Sequence, residues 1–292
     1  MKPTGVLVPI VTPFRDGVVD HESTDRLVDH LISEGVTGLV VLGTTGESLA
    51  LDPDEARQLV DRVVARVAGR VAVYIGVSGA ATHKVVRAIA EYDTVEADGY
   101  LVSCPYYNRP PQDGLLAHFA AAADATERDI IIYNIPSRTA VNMSNDVLLE
   151  IATRANVTGV KDCCGSLQQS FDLLHRRQDG FSVLTGEDHL LLTLVSQGGD
   201  GGILASAHVG TRHFVEVVEA LDKGELDRAR NAWYRIADVI DLLFAEPNPM
   251  PVKYWLSREG VIASPECRLP LTSVSRGLRE RLDQRLARGF GE

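Results

Sequence analysis

The stretch that decides the fold is "SNDVLLEIATRANVTGVKDCCG" (144–165). Its first half, 144–155, reads as a helix. Its second half carries an apolar run from Val157 to Val160, broken only by Thr158 and Gly159, and then delivers Lys161. A short apolar run without period-two alternation is the pattern of a strand covered on both faces, which is how parallel strands are buried. The lysine is conspicuous, because the chain holds 24 arginines and only five lysines (Lys2, Lys84, Lys161, Lys223, Lys253).

The same alternation extends in both directions. Candidate strands lie at 5–14, 37–47, 71–79, 98–107, 129–137, 157–164, 181–188 and 199–206. Helical segments lie between them: "STDRLVDHLISEG" stops at Gly35 and "DPDEARQLVDRVVARVAG" at Gly69. The latter opens on Asp52 as N-cap with Pro53 at the first helical position. Eight strand–helix units with no Pro/Gly/Ser linker predict an α/β fold, a closed (β/α)8 TIM barrel, over 1–222. A doubly wound open sheet is the alternative, and it lacks the usual dinucleotide glycine fingerprint after the first strand. Residues 223–292 read as a C-terminal helical extension packed on the barrel, broken at "EPNPMP" (246–251) and helical again near 274–288.

The chain has 292 residues, 45% apolar and 24% charged, with a formal net charge of −11. That charge disfavours nucleic acid and anionic membrane surfaces as partners, although a local arginine can still hold a small anion. Cys104, Cys163, Cys164 and Cys267 form no C-x-x-C pair and no zinc spacing, and they read as free, mostly buried thiols of a reducing compartment. The N-terminal apolar run, interrupted by Pro9, Thr12 and Pro13, is too broken for a signal peptide or a span, so a cytoplasmic location is expected.

A barrel enzyme builds its site at the C-terminal ends of its strands. Those ends carry "GTTGE" (43–47), "PYYNRP" (105–110), "YNIPSR" (133–138), Lys161, "TGED" (185–188) with Gly186, and "GGILAS" (201–206) with Ile203. A buried ammonium is costly, so desolvation yields neutral amine near pH 7. Neutral amine attacks a ketone to form an imine, and guanidinium cannot. The other reading of Lys161 is a lysine just past a strand end, reaching water through its stem. Thr44 and Thr45, with the backbone amides of their turn, suit a carboxylate or phosphate. Tyr133 ends the strand beside that of Lys161, where a proton relay belongs, and the planar fork of Arg138 suits a carboxylate. Tyr133 and Tyr107 read otherwise as core aromatics, and Arg138 as a solvated loop charge. Glu47, beside the threonines, reads as a structural hydrogen-bonding partner and not as a catalytic acid. The eight histidines show no metal-binding spacing, and the acidic residues show no metal cluster.

These motifs, from "VPIVTPF" through "GTTGES", "PYYNRPPQDGLLAHF", "YNIPSRT" and "GVKD" to "PNPMPVKYWL" and "RLPLT", resemble the pyruvate-dependent class I aldolase family of dihydrodipicolinate synthase and N-acetylneuraminate lyase. The resemblance implies a (β/α)8 barrel in which pyruvate forms an imine on Lys161, with no metal or other cofactor. It implies that Tyr133 shuttles protons and that Thr44 and Thr45 hold the pyruvate carboxylate. Thr44 would also link Tyr133 to Tyr107 lent by a neighbouring subunit of a homotetramer. Gly186 and Ile203 complete the implied substrate-binding set.

Arg138, "PYYNRP" and "NPMPVK" favour the synthase subgroup, in which the arginine binds the carboxylate of aspartate semialdehyde. The expected reaction condenses pyruvate with L-aspartate 4-semialdehyde in lysine and diaminopimelate biosynthesis. The alternatives are a lyase or dehydratase for another 2-oxo acid (a deoxy sugar acid, hydroxyoxoglutarate or N-acetylneuraminate) and, more remotely, a non-catalytic binding or regulatory barrel. "KDCCGS" and "ASAHVG" match the family more loosely and bear on pocket selectivity. The positions that line the lysine effector site of inhibited synthases match Pro53, Ala56, Ala80 and Lys84 here, beside Ser48 and Tyr106, so little or no feedback inhibition is expected.

Overall fold

The structure, a computed structural model, describes residues 2–291. Eight parallel strands close a barrel: β1 (Gly5–Pro9), β2 (Gly38–Val41), β3 (Ala72–Val77), β4 (Gly99–Ser103), β5 (Asp129–Asn134), β6 (Val157–Asp162), β7 (Ser182–Thr185) and β8 (Gly201–Ile203). The order around the barrel is β1-β8-β7-β6-β5-β4-β3-β2. Each strand is followed by a helix: α1 (His21–Ser33), α2 (Pro53–Val67), α3 (Thr82–Tyr92), α4 (Gln112–Ala123), α5 (Asn145–Ile151), α6 (Leu167–Arg176), α7 (Leu191–Ser196) and α8 (Thr211–Asp222). Three more helices complete the chain: α9 (Leu226–Leu243), α10 (Met250–Arg258) and α11 (Arg276–Arg288). The expected TIM barrel with a C-terminal helical extension is the observed fold.

Local chemistry explains the boundaries. Pro53 opens α2, the Glu55 carboxylate accepts the Asp52 backbone N–H at 3.0 Å, and Gly69 beyond its end takes φ +73°. β2 and β4 are buried along their whole length, as strands covered on both faces must be. The strands are shorter than their apolar runs suggested, and the difference falls mostly at their C-terminal ends. After Val41, Leu42 takes φ +61° and leaves the extended region, and after β5 Pro136 opens a helical turn over Pro136–Thr139. The run at 5–14 is likewise split. β1 ends at Pro9, and Phe14–Arg15 pairs antiparallel with Val18–Val19 across Asp16 and Gly17, both at positive φ as such a tight hairpin requires.

Contacts divide the chain into two compact units. One holds Val73–Ile203 with the N-terminal residues up to Thr4, and the other holds Gly5–Ala72 with the chain from Leu204 onward. In the second unit α8 packs on β1, α9 packs on α8, and α10 and α11 pack together. Among the described residues no helix is long and apolar enough to cross a membrane. The four cysteines are free, as expected. Cys104 and Cys163, each the residue directly after a barrel strand, are buried, whereas Cys164 and Cys267 are only half-buried.

Candidate active site

In the unit holding Val73–Ile203, β5 and β6 pair so that Tyr133 and Lys161 stand opposite one another, followed by Asn134 opposite Asp162. The ladder leading to them pairs Ile130 with Val157 and then, past an irregularity that skips Thr158, Ile131 with Gly159 and Ile132 with Val160. The side chain of Lys161 is 6% exposed, and its Nζ lies 4.4 Å from the centroid of the Tyr133 ring. Burial holds the Lys161 pKa below the ordinary lysine range. Cys163, Asp188 and Glu187 pull it upward, and the nearby Arg138 guanidinium lowers it further. Burial and the adjacent Cys163 thiol drive the Tyr133 phenol well above its ordinary pKa, which keeps it protonated at neutral pH.

Gly186 follows β7 and presses directly on this lysine. A Cβ built on it would sit 2.4 Å from Lys161 Cε and 2.4 Å from Cys163 Sγ. The residues flanking the pair are committed to holding it. Asp162 accepts from the Cys164 backbone N–H at 3.0 Å and from the Ser170 hydroxyl at 2.5 Å. Asn134 donates to Asn142 Oδ1 at 2.8 Å and accepts from the Met143 N–H at 3.1 Å. A cavity of about 420 Å³ opens beside them, lined by Ser137, Cys163, Cys164, Leu167, Glu187 and His189 among others.

The remaining expected residues of this unit are placed differently from one another. Arg138 is exposed on the helical turn after β5, near enough to act electrostatically on both Lys161 and Tyr133. Ile203 is wholly buried at the end of β8. Tyr107 is 89% exposed at φ +71°, and the Asn108 N–H donates to the Tyr106 carbonyl at 2.8 Å, which makes a γ-turn of the strained kind. Asn108 and Arg109 tie this loop to the carbonyls of Ala80 and Ala140, so the tyrosine ring is held out from the surface.

In the other unit "GTTGE" forms a tight turn closed by two backbone bonds, Gly46 N–H to Gly43 and Glu47 N–H to Thr44, each at 3.1 Å. Thr44 is exposed and Thr45 is buried. Glu47, read as a structural partner, is one. Its carboxylate takes Lys253 Nζ at 2.5 Å and the Arg268 backbone N–H at 2.9 Å. Lys253 is fully buried, and burial holds its pKa below the ordinary range even against the pull of Glu47. Among the described residues no group of three or more His, Cys, Asp or Glu side chains is arranged to hold a metal ion.

With this geometry in view, residues 2–288 match the dihydrodipicolinate synthetase family. The chain belongs to that family. It is 43% identical over 284 residues to a 4-hydroxy-tetrahydrodipicolinate synthase 2 of Clostridium acetobutylicum, covering 97% of this chain and 99% of that protein. The crystal structure of the dihydrodipicolinate synthase from Aquifex aeolicus superimposes with a TM-score of 0.94 at 37% identity, covering 98% of this chain and 97% of that one. A monomeric dihydrodipicolinate synthase variant matches with a TM-score of 0.95 at 35% identity, covering 97% and 96%.

Some residues around the site carry no sequence signal of their own. Cys163 reads in the sequence as a free thiol, yet it borders the space that Gly186 leaves for Lys161. Lys253 and Asn248 lie within "NPMPVK", and Asp162 follows the lysine directly. Each is adjacent to or inside a motif residue already read, and that adjacency was the one available signal.

Proposed function

We propose that this protein acts as a 4-hydroxy-tetrahydrodipicolinate synthase, a class I lyase that condenses pyruvate with L-aspartate 4-semialdehyde on the way to diaminopimelate and lysine. The observation that carries this reading is the buried amine of Lys161, held below its ordinary pKa beside a protonated Tyr133.

Neutral Lys161 Nζ adds to the carbonyl carbon of pyruvate. Tyr133 gives its proton to the departing hydroxyl, and water leaves as the imine forms. The resulting phenolate then takes a proton from the pyruvate methyl group, and the imine becomes an enamine. The enamine carbon bonds to the aldehyde carbon of the second substrate, whose oxygen takes the proton now held by Tyr133. The amine of that substrate finally adds to the imine carbon and expels Lys161 as free amine, and the proton lost by the attacking amine returns to the Tyr133 phenolate as the ring closes. Thr44 and Thr45 hold the pyruvate carboxylate, and Arg138 pairs with the carboxylate of the semialdehyde through its planar fork.

The strained, exposed Tyr107 supports a homotetramer in which that ring completes the proton relay of a neighbour. Work in the cytoplasm, without metal or dissociable cofactor and with Gly186 and Ile203 shaping the substrate site, belongs to the same proposal.

The test couples pyruvate and L-aspartate semialdehyde to the NADPH-dependent reductase that consumes the product. Turnover is expected, and Arg138→Ala should abolish it while borohydride still traps pyruvate on Lys161. Trapping without turnover in the unmodified protein would refute the semialdehyde as substrate.

A further inference from the structure

We infer that Asn248 and Lys253 are positioning residues of the carboxylate-binding turn at 43–47. Asn248 directs the hydroxyl proton of Thr45, and Lys253 acts through Glu47 to hold the turn in its shape. The inference rests on the role proposed above for Thr44 and Thr45.

The turn is bounded by two residues in a conformation that side chains disfavour: Leu42 at φ +61° and Glu47 at φ +52°. Such geometry persists only where the surroundings over-determine it. Here the Glu47 carboxylate is gripped at both oxygens, by Lys253 Nζ at 2.5 Å and by the Arg268 N–H at 2.9 Å. Lys253 lies 4.2 Å above the Phe14 ring, and the Arg268 guanidinium lies 4.4 Å from the same ring. Arg268 is itself anchored on both oxygens of Glu55, at 2.5 and 2.6 Å. From the far side the Thr12 hydroxyl donates to the Gly46 carbonyl at 2.6 Å. A fully buried ion pair is rarely the most stable way to fill a core, since apolar residues of similar volume do as well or better. Its use here is to clamp an unfavourable backbone.

Thr45 shows what the clamp serves. Its Oγ1 accepts from Asn248 Nδ2 at 2.9 Å. A hydroxyl has one proton to give, so an oxygen that accepts from Asn248 keeps its proton for another acceptor. A carboxylate at the turn is such an acceptor. The Asn248 Oδ1 is buried and finds no partner among the described residues. Reversing the amide, or replacing it by a carboxylate, would consume the proton of Thr45.

The experiment titrates pyruvate in borohydride trapping and in turnover, with thermal midpoints measured in parallel. Asn248→Ala should raise half-saturating pyruvate about tenfold, the weight of one hydrogen bond to a charged group. Asn248→Asp should raise it further, and kcat at saturating pyruvate should change less than about threefold in both. The double variant Glu47→Gln, Lys253→Met removes both charges together, which spares the fold an unpaired buried charge. It should raise half-saturating pyruvate about tenfold with no loss of thermal midpoint. Lower midpoints with unchanged half-saturating pyruvate in all three would overturn the inference, because the residues would then serve stability alone. A wild-type chain that traps no pyruvate would overturn it together with the functional reading. A wild type that traps pyruvate but consumes no aspartate semialdehyde would overturn the aldehyde assignment alone, and the trapping titration would still decide for or against the positioning role.

Discussion

Replacing Gly186 by alanine tests whether the lysine needs the space this glycine leaves. The added Cβ would lie 2.4 Å from Lys161 Cε, 2.8 Å from Lys161 Cγ and 2.4 Å from Cys163 Sγ. Non-bonded carbons settle about 3.5–4.0 Å apart, so the lysine stem must retreat by about 1 Å. The backbone is no obstacle, because Gly186 lies outside the left-handed region. Cys163 cannot absorb the whole shift, being 4% exposed. Displacing a reacting group by about 1 Å costs on the order of 10²-fold in rate, and the overpacking should destabilise the chain by about 1–3 kcal/mol. The assay is single-turnover borohydride trapping at saturating pyruvate, read by mass, with the thermal midpoint beside it. Adding Cys163→Ala should return part of the lost rate by relieving one of the collisions. Trapping within about threefold of wild type in a folded Gly186→Ala protein would refute the reasoning, since the lysine would then tolerate the displacement.

Trapping of pyruvate should accelerate as pH rises and level off with a midpoint below 10.5, because the neutral amine reacts and burial lowers the Lys161 pKa. A midpoint at or above 10.5 would contradict the burial argument. By linkage, the folded chain binds fewer protons at Lys161 than the unfolded chain between the lowered pKa and 10.5. Stability therefore gains with pH across that window, and Lys161→Met should flatten the gain in denaturant midpoints. His118 is buried with a pKa lowered from 6.5 to about 4. The unfolded chain takes its proton first as pH falls through 6.5, so stability worth about 3 kcal/mol at most is lost by pH 4; His118→Leu should remove that loss in acid titrations of the thermal midpoint. L-lysine should inhibit weakly or not at all, since Lys84 is exposed on α3 where its ammonium repels a cationic effector. Half-maximal inhibition by submillimolar L-lysine would refute this.

What could be read from the chain alone follows from local rules. The run at Val157–Val160 identifies a strand covered on both faces, and eight such runs separated by helical stretches leave few folds other than a barrel. The neighbours Tyr133 and Lys161 were legible for the same reason, because consecutive strands of a barrel pair side by side and their ends share a rim. Strand lengths were not legible. Apolar residues continue past Val41, Ser103 and Asn134, and hydrophobicity does not reveal where Leu42 turns left-handed or Pro136 starts a helical turn.

Glu47 and Lys253 are 206 residues apart, and Asn248 and Thr45 are 203 apart. Nothing local distinguishes Lys253 from a solvated helix lysine until the chain from Leu204 onward folds back on Gly5–Ala72 and dehydrates it. The same holds for Gly186, whose missing side chain has meaning only beside Lys161 and Cys163. Periodicity and motif spacing are short-range properties, so the sequence by itself determined the barrel and the reactive lysine. The clamp on the threonine turn and the room around the amine depend on which distant side chains share a buried volume, and that only the tertiary structure decided.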